Sequence, residues 1–245
     1  MRFLTSKVLA GLAVLLLLGP GLAAAASRDK PESPAQLAQQ VQERYRSVQS
    51  LAADYTRASR FVSLGAQGGR EVAGSGRLIW ARPLKLRLEQ DTPRQELIIT
   101  GGGAAWWVRP QRRQADLYPL SQFTSGLTSL LDALGGLASL DKDYEVGSAS
   151  AAEAKDAPAG SLLLSLQPRQ RRADLKELVL IFGAKDLLLR GFVIYNLVGD
   201  RTLYRFNKLK VNPPTTPQMF AYEAPVDYRV VDHRPLPSIR DAQGR

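Results

Sequence analysis

The sequence contains no cysteine and only one histidine, His233, among its 245 residues. The absence of cysteine excludes disulfide bonds, thiolate metal sites, cysteine nucleophiles and the attachment of lipid to a cysteine at the mature N-terminus. A catalytic triad with a histidine base would have to use His233, in the stretch VDHRPLP near the end of the chain. We expect His233 to be a surface histidine beside a loose terminus.

Long apolar runs are missing beyond the N-terminus. The run VLAGLAVLLLLG follows Arg2 and Lys7, ends at Pro20-Gly21, and is succeeded by the small residues LAAAAS. It is shorter than the roughly 20 residues that a spanning helix needs. A basic start, an apolar centre and small residues predict a signal peptide over 1–26, cleaved on export. A membrane anchor is the alternative. Residues 27–245 then form a single domain, with loose ends at about 27–34 and 234–245.

Acidic residues are fewer than basic ones, and the formal net charge is +10. This charge suits nucleic acid, anionic lipid or an acidic protein partner about equally. The basic groups RPQRR at 109–113 and RQRR at 169–172 lie where turns are expected, and neither has aromatic residues spaced for base stacking. We therefore expect charged hairpin tips and no nucleic-acid partner.

Motifs for metals, cofactors and catalysis are also scarce. Asp141, Asp143 and Glu145 resemble a metal cluster, but the glycine and distal glutamate of a calcium loop are missing. A solvated helix-to-strand turn is the favoured interpretation. GSG at 74–76 and GGG at 101–103 lack the context of phosphate-binding loops and are interpreted as hairpin turns. We expect no cofactor, no metal and no enzymatic activity.

The hydrophobic pattern predicts one large antiparallel sheet. A helix pattern runs from the candidate cap Ser33 to about Ser47, and the period changes to two at Leu51. A glycine-rich connection at 64–76 and a three-segment meander through the GGG turn follow. After a disordered-looking turn at 151–160, further strands and a last edge segment complete the chain. So many strands tend to curl, and we expect the apolar helix to lie against the inner side.

Positions 78–90, LIWARPLKLRLEQ, alternate as a strand does. We interpret this stretch as one continuous strand, in which Arg82-Pro83 marks an edge, bulge or end. One side of this strand then carries apolar residues together with a permanently charged guanidinium. That side consists of Leu78, Trp80, Arg82, Leu84, Leu86 and Leu88.

Residues 120–140 change to helical spacing, and two short helices are expected there. Asp132 is the only charged residue between Leu120 and Leu140. Two interpretations remain open: a core helix that packs on the sheet, or a movable cover over an apolar cavity. The leucines of this stripe include Leu127, Leu130, Leu131 and Leu134.

From about Leu37 to Asp232, the order of four motifs resembles the LolA-type family of periplasmic outer-membrane lipoprotein carriers. The motifs are SVQSLAADYTR, GRLIWARPLKLRLE, LIITGGGAAWWVRP and MFAYEAPVDYRVVD. The resemblance implies a mainly β (α+β) fold, an incomplete and strongly curled antiparallel β-barrel with a helical lid. It implies that the arginine before proline, Arg82, is a lid latch that hydrogen-bonds the lid while the cavity is empty.

The resemblance also implies a function and a location. The chain would be a periplasmic monomer that takes acylated lipoproteins from an inner-membrane exporter to an outer-membrane acceptor. GGG at 101–103 replaces the usual DGK of the family, so a different lipid cargo, or a regulatory module that senses lipids or lipoproteins, is the alternative. The expected lining of the acyl-chain cavity is Leu51, Tyr55, Leu78, Trp80, Leu86, Leu88, Trp106, Leu127, Leu130, Leu131 and Leu134.

Overall fold

The computed structural model describes residues 31, 33–62, 69–120, 137, 140–172 and 174–235. The expected signal peptide at 1–26 and the four leucines between 127 and 134 lie outside these residues. The N-terminal helix, α1 (Pro34–Arg46), begins as predicted: the Ser33 hydroxyl accepts from the Gln36 amide at 3.2 Å, and Pro34 occupies the first helical position. None of the helices in the described part is long and apolar enough to cross a bilayer.

Twelve strands, two short α-helices and two 3-10 helices (Pro110–Arg112 and Pro217–Phe220) follow in the described part of the chain. The first six strands are β1 (Ser50–Phe61), β2 (Arg70–Ala81), β3 (Lys85–Thr92), β4 (Glu96–Gly101), β5 (Ala104–Arg109) and β6 (Gln114–Pro119). Then come α2 (Leu140–Asp143), β7 (Tyr144–Gly147), α3 (Ala151–Asp156), β8 (Ser161–Pro168), β9 (Glu177–Gly183), β10 (Leu189–Tyr195), β11 (Arg201–Val211) and β12 (Arg229–Asp232).

All twelve strands belong to one sheet, in the order β12-β6-β5-β4-β3-β2-β1-β11-β10-β9-β8-β7. Neighbours pair antiparallel, except that the edge strand β12 runs parallel to β6. A flat sheet of this size would be about 50 Å wide, at roughly 4.8 Å per strand. Yet a single buried cluster includes residues of β1, β2, β3 and β7 to β11 together with α1. The sheet is therefore strongly curled, with β7 and β12 as its unpaired edges.

The side of the sheet that carries this cluster is called the inner face, and the opposite side the outer face. α1 packs on the inner face through Leu37, Ala38, Val41 and Tyr45. The expected fold class, a mainly β incomplete barrel with a helical lid, is confirmed. Of the segment from 120 to 140, the structure describes Leu120, Leu137 and Leu140, and the last two are completely buried in the same cluster.

Two expectations for the region before residue 90 are wrong. The single strand expected over 78–90 is instead a hairpin, because the chain turns at 82–84 between β2 and β3; of the alternatives for Arg82-Pro83, the strand end is the correct one. Leu84 is consequently 45% exposed. The glycine-rich stretch 70–76 is the first part of β2 and not a connection. Gly76 pairs with Tyr55 on one side and with Gln90 on the other.

Other turns behave as predicted. Gly102 and Gly103 adopt φ values of +60° and +79° between β4 and β5, a conformation that favours glycine. The basic groups at 109–113 and 169–172 lie at the turns that follow β5 and β8. The stretch 151–160 differs from its expectation, because α3 forms there with Ser150 as its cap.

Candidate functional site

The inner face is built from side chains that lie opposite one another in the strand register. Leu51 pairs with Trp80, which pairs with Leu86; one row further, Leu78 pairs with Leu88. Opposed residues of an antiparallel sheet share a face, so the period-two pattern places all five together. Each is at most 6% exposed. The hairpin therefore preserves the grouping that the continuous-strand interpretation predicted.

The row of Leu88 continues across the sheet to Ile98 and then to Trp107. Trp107 packs against the inner-face cluster, whereas Trp106 packs on the outer face with Ala81, Ile99 and Phe220. The expectation that Trp106 lines the cavity is wrong, because successive strand residues point to opposite faces. Sequence alone does not distinguish two adjacent tryptophans; the register of β4 against β5 does.

Arg82 lies in the turn after β2 and contacts the end of α1. Its Nε donates to the Val48 carbonyl at 2.8 Å, and Nη2 donates to the Tyr45 carbonyl at 3.1 Å. The resemblance led us to expect bonds to a lid within 120–140; the bonds that the structure describes go to the C-terminal end of α1. Its guanidinium carbon also lies 5.7 Å from the centre of the Trp80 ring, within range of a cation–π contact.

Tyr45 fastens the same helix end to the far side of the sheet. Its hydroxyl accepts from the Leu189 amide of β10 at 2.8 Å. Burial raises the pKa of Tyr45 to about 12, so the phenol stays neutral at any physiological pH. The end of α1 is thus bonded to the β2–β3 turn on one side and to β10 on the other.

The polar atoms on the inner face without a hydrogen-bond partner in the described part of the chain include the Tyr55 hydroxyl and the indole nitrogen of Trp80, and both are buried. Burial raises the pKa of Tyr55 above its ordinary range. An unpaired buried donor is costly, roughly 1–3 kcal/mol. Such atoms on an otherwise apolar face are candidate contacts for a bound molecule.

His233 is exposed, as expected, and its side chain contacts two residues of β6. Its ring stacks on Tyr118 with centroids 4.2 Å apart, and Nε2 lies 3.0 Å from Oδ1 of the buried Asp116. Arg109 donates to the same carboxylate. Burial would raise the pKa of Asp116, but the hydrogen bonds from His233 and Arg109 outweigh it and lower that pKa. The group joins β12 to β6 and contains no obvious nucleophile.

A cleft of about 640 Å³ opens beside this group, at the turns that follow β3 and β5. The Arg109 guanidinium lies 4.6 Å from the centre of the Trp107 ring, and the Trp107 indole donates to Glu96 at 3.1 Å. Arg94 and Arg112 complete its basic lining. Most side chains that line the cleft are polar or charged, and Trp107 connects it to the apolar part of the inner face.

The described residues contain no group of three or more histidine and acidic side chains able to hold a metal. Asp143 ends α2 and Glu145 lies in β7, so this acidic stretch is a helix-to-strand junction, as favoured. The arrangement that the structure offers is a buried apolar surface on the inner face of the sheet, covered by α1.

Comparison with known proteins gives the same picture. The family model for the outer membrane lipoprotein carrier protein LolA matches residues 46–223. An outer-membrane lipoprotein carrier protein of Coxiella burnetii is 27% identical over 150 residues, which cover 60% of this chain and 66%, just under two thirds, of that protein. The corresponding protein of Xanthomonas oryzae pv. oryzae is 32% identical over 158 residues, or 64% of this chain and 71% of that one.

Among solved structures, a LolA superfamily protein from Nitrosomonas europaea covers 78% of this chain and 99% of its own, with 12% identity and a TM-score of 0.42. The family model matches well over half of this sequence. The chain therefore belongs to the LolA family of outer membrane lipoprotein carrier proteins.

Proposed function

We propose that this protein is a periplasmic carrier that shields the acyl chains of lipoproteins on its inner face. The observation that carries this proposal is the continuous apolar inner face with α1 bonded over it by Arg82. A 16-carbon chain contributes on the order of 10 kcal/mol of gross burial free energy. Such a chain needs a shield to cross an aqueous compartment. No covalent step is required, and the protein is not an enzyme in this proposal.

Leu51, Tyr55, Leu78, Trp80, Leu86 and Leu88 are proposed to contact the acyl chains, with Trp107 in place of Trp106. Leu127, Leu130, Leu131 and Leu134 keep the role that the sequence predicted for them. Arg82 holds α1 over the inner face while no cargo is bound, and entering acyl chains compete with its two hydrogen bonds. Removing a charged donor from water limits how far these bonds stabilise the closed state.

The proposed partners are an inner-membrane exporter that supplies the lipoprotein and an outer-membrane acceptor that receives it. The protein is proposed to act as a monomer, with residues 1–26 cleaved on export and 27–245 forming the carrier domain. The excess of basic residues would speed docking to acidic partner surfaces. Mass spectrometry of the exported protein should show an N-terminus close to Ser27; an intact Met1 would contradict cleavage.

The direct test measures uptake of a fluorescent triacylated lipopeptide by the purified mature protein. We expect a stoichiometric complex in native mass spectrometry and a rise in fluorescence on binding. The same peptide without its acyl chains is the matched control and should not bind. No adduct and no uptake of the acylated peptide would reject the carrier function.

A further inference from the structure

A cationic side chain, that of Arg57, lies on the inner face, and the proposed carrier function assigns no role to its charge. Arg57 follows Tyr55 by two residues on β1 and lies opposite Tyr204 of β11. It therefore shares the inner face with both tyrosines. The side chain is partly buried, and its Nε is a buried donor without a partner in the described part of the chain.

The residue opposite Arg57 on β2 is Gly74. A Cβ added there would lie 3.3 Å from both Nε and Nη2 of Arg57, and 2.9 Å from the Thr92 carbonyl oxygen. The guanidinium therefore lies across β2 at a position without a side chain. The next inner-face position of β2 is Gly76, which also carries none. Neither position carries a side chain: the Arg57 guanidinium lies over Gly74, and the Glu89 carbonyl of β3 closes the space at Gly76.

Two phenols stand next to the guanidinium. The rings of Tyr55 and Tyr204 are 5.7 Å apart at their centroids, and the strand register places Arg57 directly opposite Tyr204. Burial raises the pKa of both tyrosines, so both keep their protons at neutral pH. The Tyr55 hydroxyl is buried and has no partner in the described part of the chain. Three hydrogen-bond donors, the hydroxyls of Tyr55 and Tyr204 and the charged Nε–H of Arg57, therefore lie close together.

Among the described residues, no carboxylate oxygen lies within 4.0 Å of an Arg57 nitrogen, the distance limit for an ion pair. Asp91 and Glu96 are close enough to raise the pKa of Tyr55 slightly, but the Glu96 carboxylate is engaged by the Trp107 indole. A partly buried guanidinium is normally paired, because burying an uncompensated charge is costly. Because no described carboxylate pairs with Arg57, a bound anion would supply the missing negative charge.

We propose that Arg57, Tyr55 and Tyr204 form a binding site for the anionic head group of an amphiphile, a carboxylate or a phosphate, whose hydrocarbon chain lies on the apolar part of the inner face. Leu78 and Trp80 continue β2 from Gly76 towards the α1 end, so chain and head group would occupy adjacent stretches of the same face. The triacylated cysteine of a lipoprotein has no anionic head group. The proposal rests on the proposed acyl-chain binding and extends it to negatively charged lipids.

The test compares two fluorescent probes that differ only in charge, cis-parinaric acid and its methyl ester, added to the mature protein at neutral pH. We expect the acid to bind about tenfold more tightly or better, since a charged hydrogen bond is involved. In Arg57→Gln the acid should bind about as weakly as the ester binds the wild type. Tyr55→Phe should lose part of the preference. Arg60→Gln, an exposed outer-face arginine of the same strand, is the matched control and should keep it.

The outcomes separate this proposal from the carrier function. Equal binding of acid and ester by the wild type would overturn the head-group site and leave acyl-chain binding intact; so would a preference that survives in Arg57→Gln. Binding of neither probe would overturn both. 1-Palmitoyl lysophosphatidic acid should displace parinarate, because the proposed site also accepts a phosphate head group. Equal displacement by the same concentration of inorganic phosphate would show that the site binds free anions, and it would overturn the proposal that the ligand is an amphiphile.

Discussion

Arg82 and Val48 are joined by a hydrogen bond of 2.8 Å, from Nε to the main-chain carbonyl, across 34 positions of the sequence. The last carbonyls of a helix have no partner within the helix. The Tyr45 carbonyl accepts the second bond from the same guanidinium. One side chain therefore bonds both the last turn of α1, through Tyr45, and the chain just beyond the helix, through Val48, and so holds this end of α1 over the inner face.

Arg82→Leu should load lipopeptide normally but pass it on poorly, because the empty closed state loses both hydrogen bonds. The measurement is transfer of fluorescent lipopeptide from the loaded protein to an acceptor. Arg77→Leu is the matched control, since Arg77 is an exposed arginine of the preceding strand, β2, and lies 3.5 Å from Asp54. Transfer by Arg82→Leu at the rate of the wild type would remove Arg82 from the mechanism.

Gly76→Ala should strongly destabilise the fold. A Cβ at this position would lie 1.9 Å from the Glu89 carbonyl oxygen, so β2 and β3 would have to separate. Overpacking of this kind costs about 2 kcal/mol or more in the free energy of unfolding. Gly147→Ala is the control, because nothing lies within 4 Å of its added Cβ. Urea denaturation of both variants provides the measurement; equal stabilities would contradict the close approach.

Glu153→Gln should lower the free energy of unfolding at pH 7 by about 2–3 kcal/mol. Glu153 in α3 is buried and accepts from Arg201 Nε at 2.9 Å and Nη2 at 3.0 Å, and from the Tyr195 hydroxyl. These bonds tie α3 to β10 and β11 on the outer face. Glu145→Gln, which changes an exposed carboxylate of β7, should have little effect.

The ion pair between Glu153 and Arg201 also predicts that the free energy of unfolding depends on pH. Burial would raise the pKa of Glu153, but the hydrogen bonds from Arg201 and Tyr195 outweigh it and hold the pKa below 4.5. A carboxyl group with a lowered folded pKa stabilises the fold above its unfolded pKa and loses this effect as the pH falls through the folded value. The gap between wild type and Glu153→Gln should therefore shrink below about pH 4.5. A gap that stays constant from pH 7 to pH 3 would contradict the ion pair.

Trp107→Ala should weaken binding of an acylated peptide, whereas Trp106→Ala should not. Trp107 contacts the inner-face cluster, while Trp106 contacts Tyr222 on the outer face, with ring centroids 5.3 Å apart and the rings tilted by 60°. Quenching by a brominated fatty acid distinguishes the two, because quenching requires contact with the chain. We expect most of the quenching to survive in Trp106→Ala and a clear loss in Trp107→Ala. A clear loss of quenching in Trp106→Ala, with most of it kept in Trp107→Ala, would place the acyl chain on the outer face.

The outer face of β9 and β10 shows where sequence reasoning was insufficient. Both faces of FVIYNL are apolar, so periodicity could not choose between them. In the fold, Phe192 belongs to the inner-face cluster, while Val193 packs outside with Val179 and Ile181. Ala149 and Ala157, which flank α3, pack against that outer group. A six-residue helix without a long apolar stripe leaves little signal in a sequence.

The sequence by itself determined the mainly β class, the position and cap of α1, and the grouping of the β2 and β3 leucines on one face, because these depend on local capping and on a period of two. Tertiary structure alone decided which tryptophan points inward, that Arg82 bonds the end of α1, and that Arg57 lies beside two phenols without a counter-charge. Those relationships join residues that are distant in the chain. Strand register and the curl of the sheet bring them together, and no local pattern specifies either.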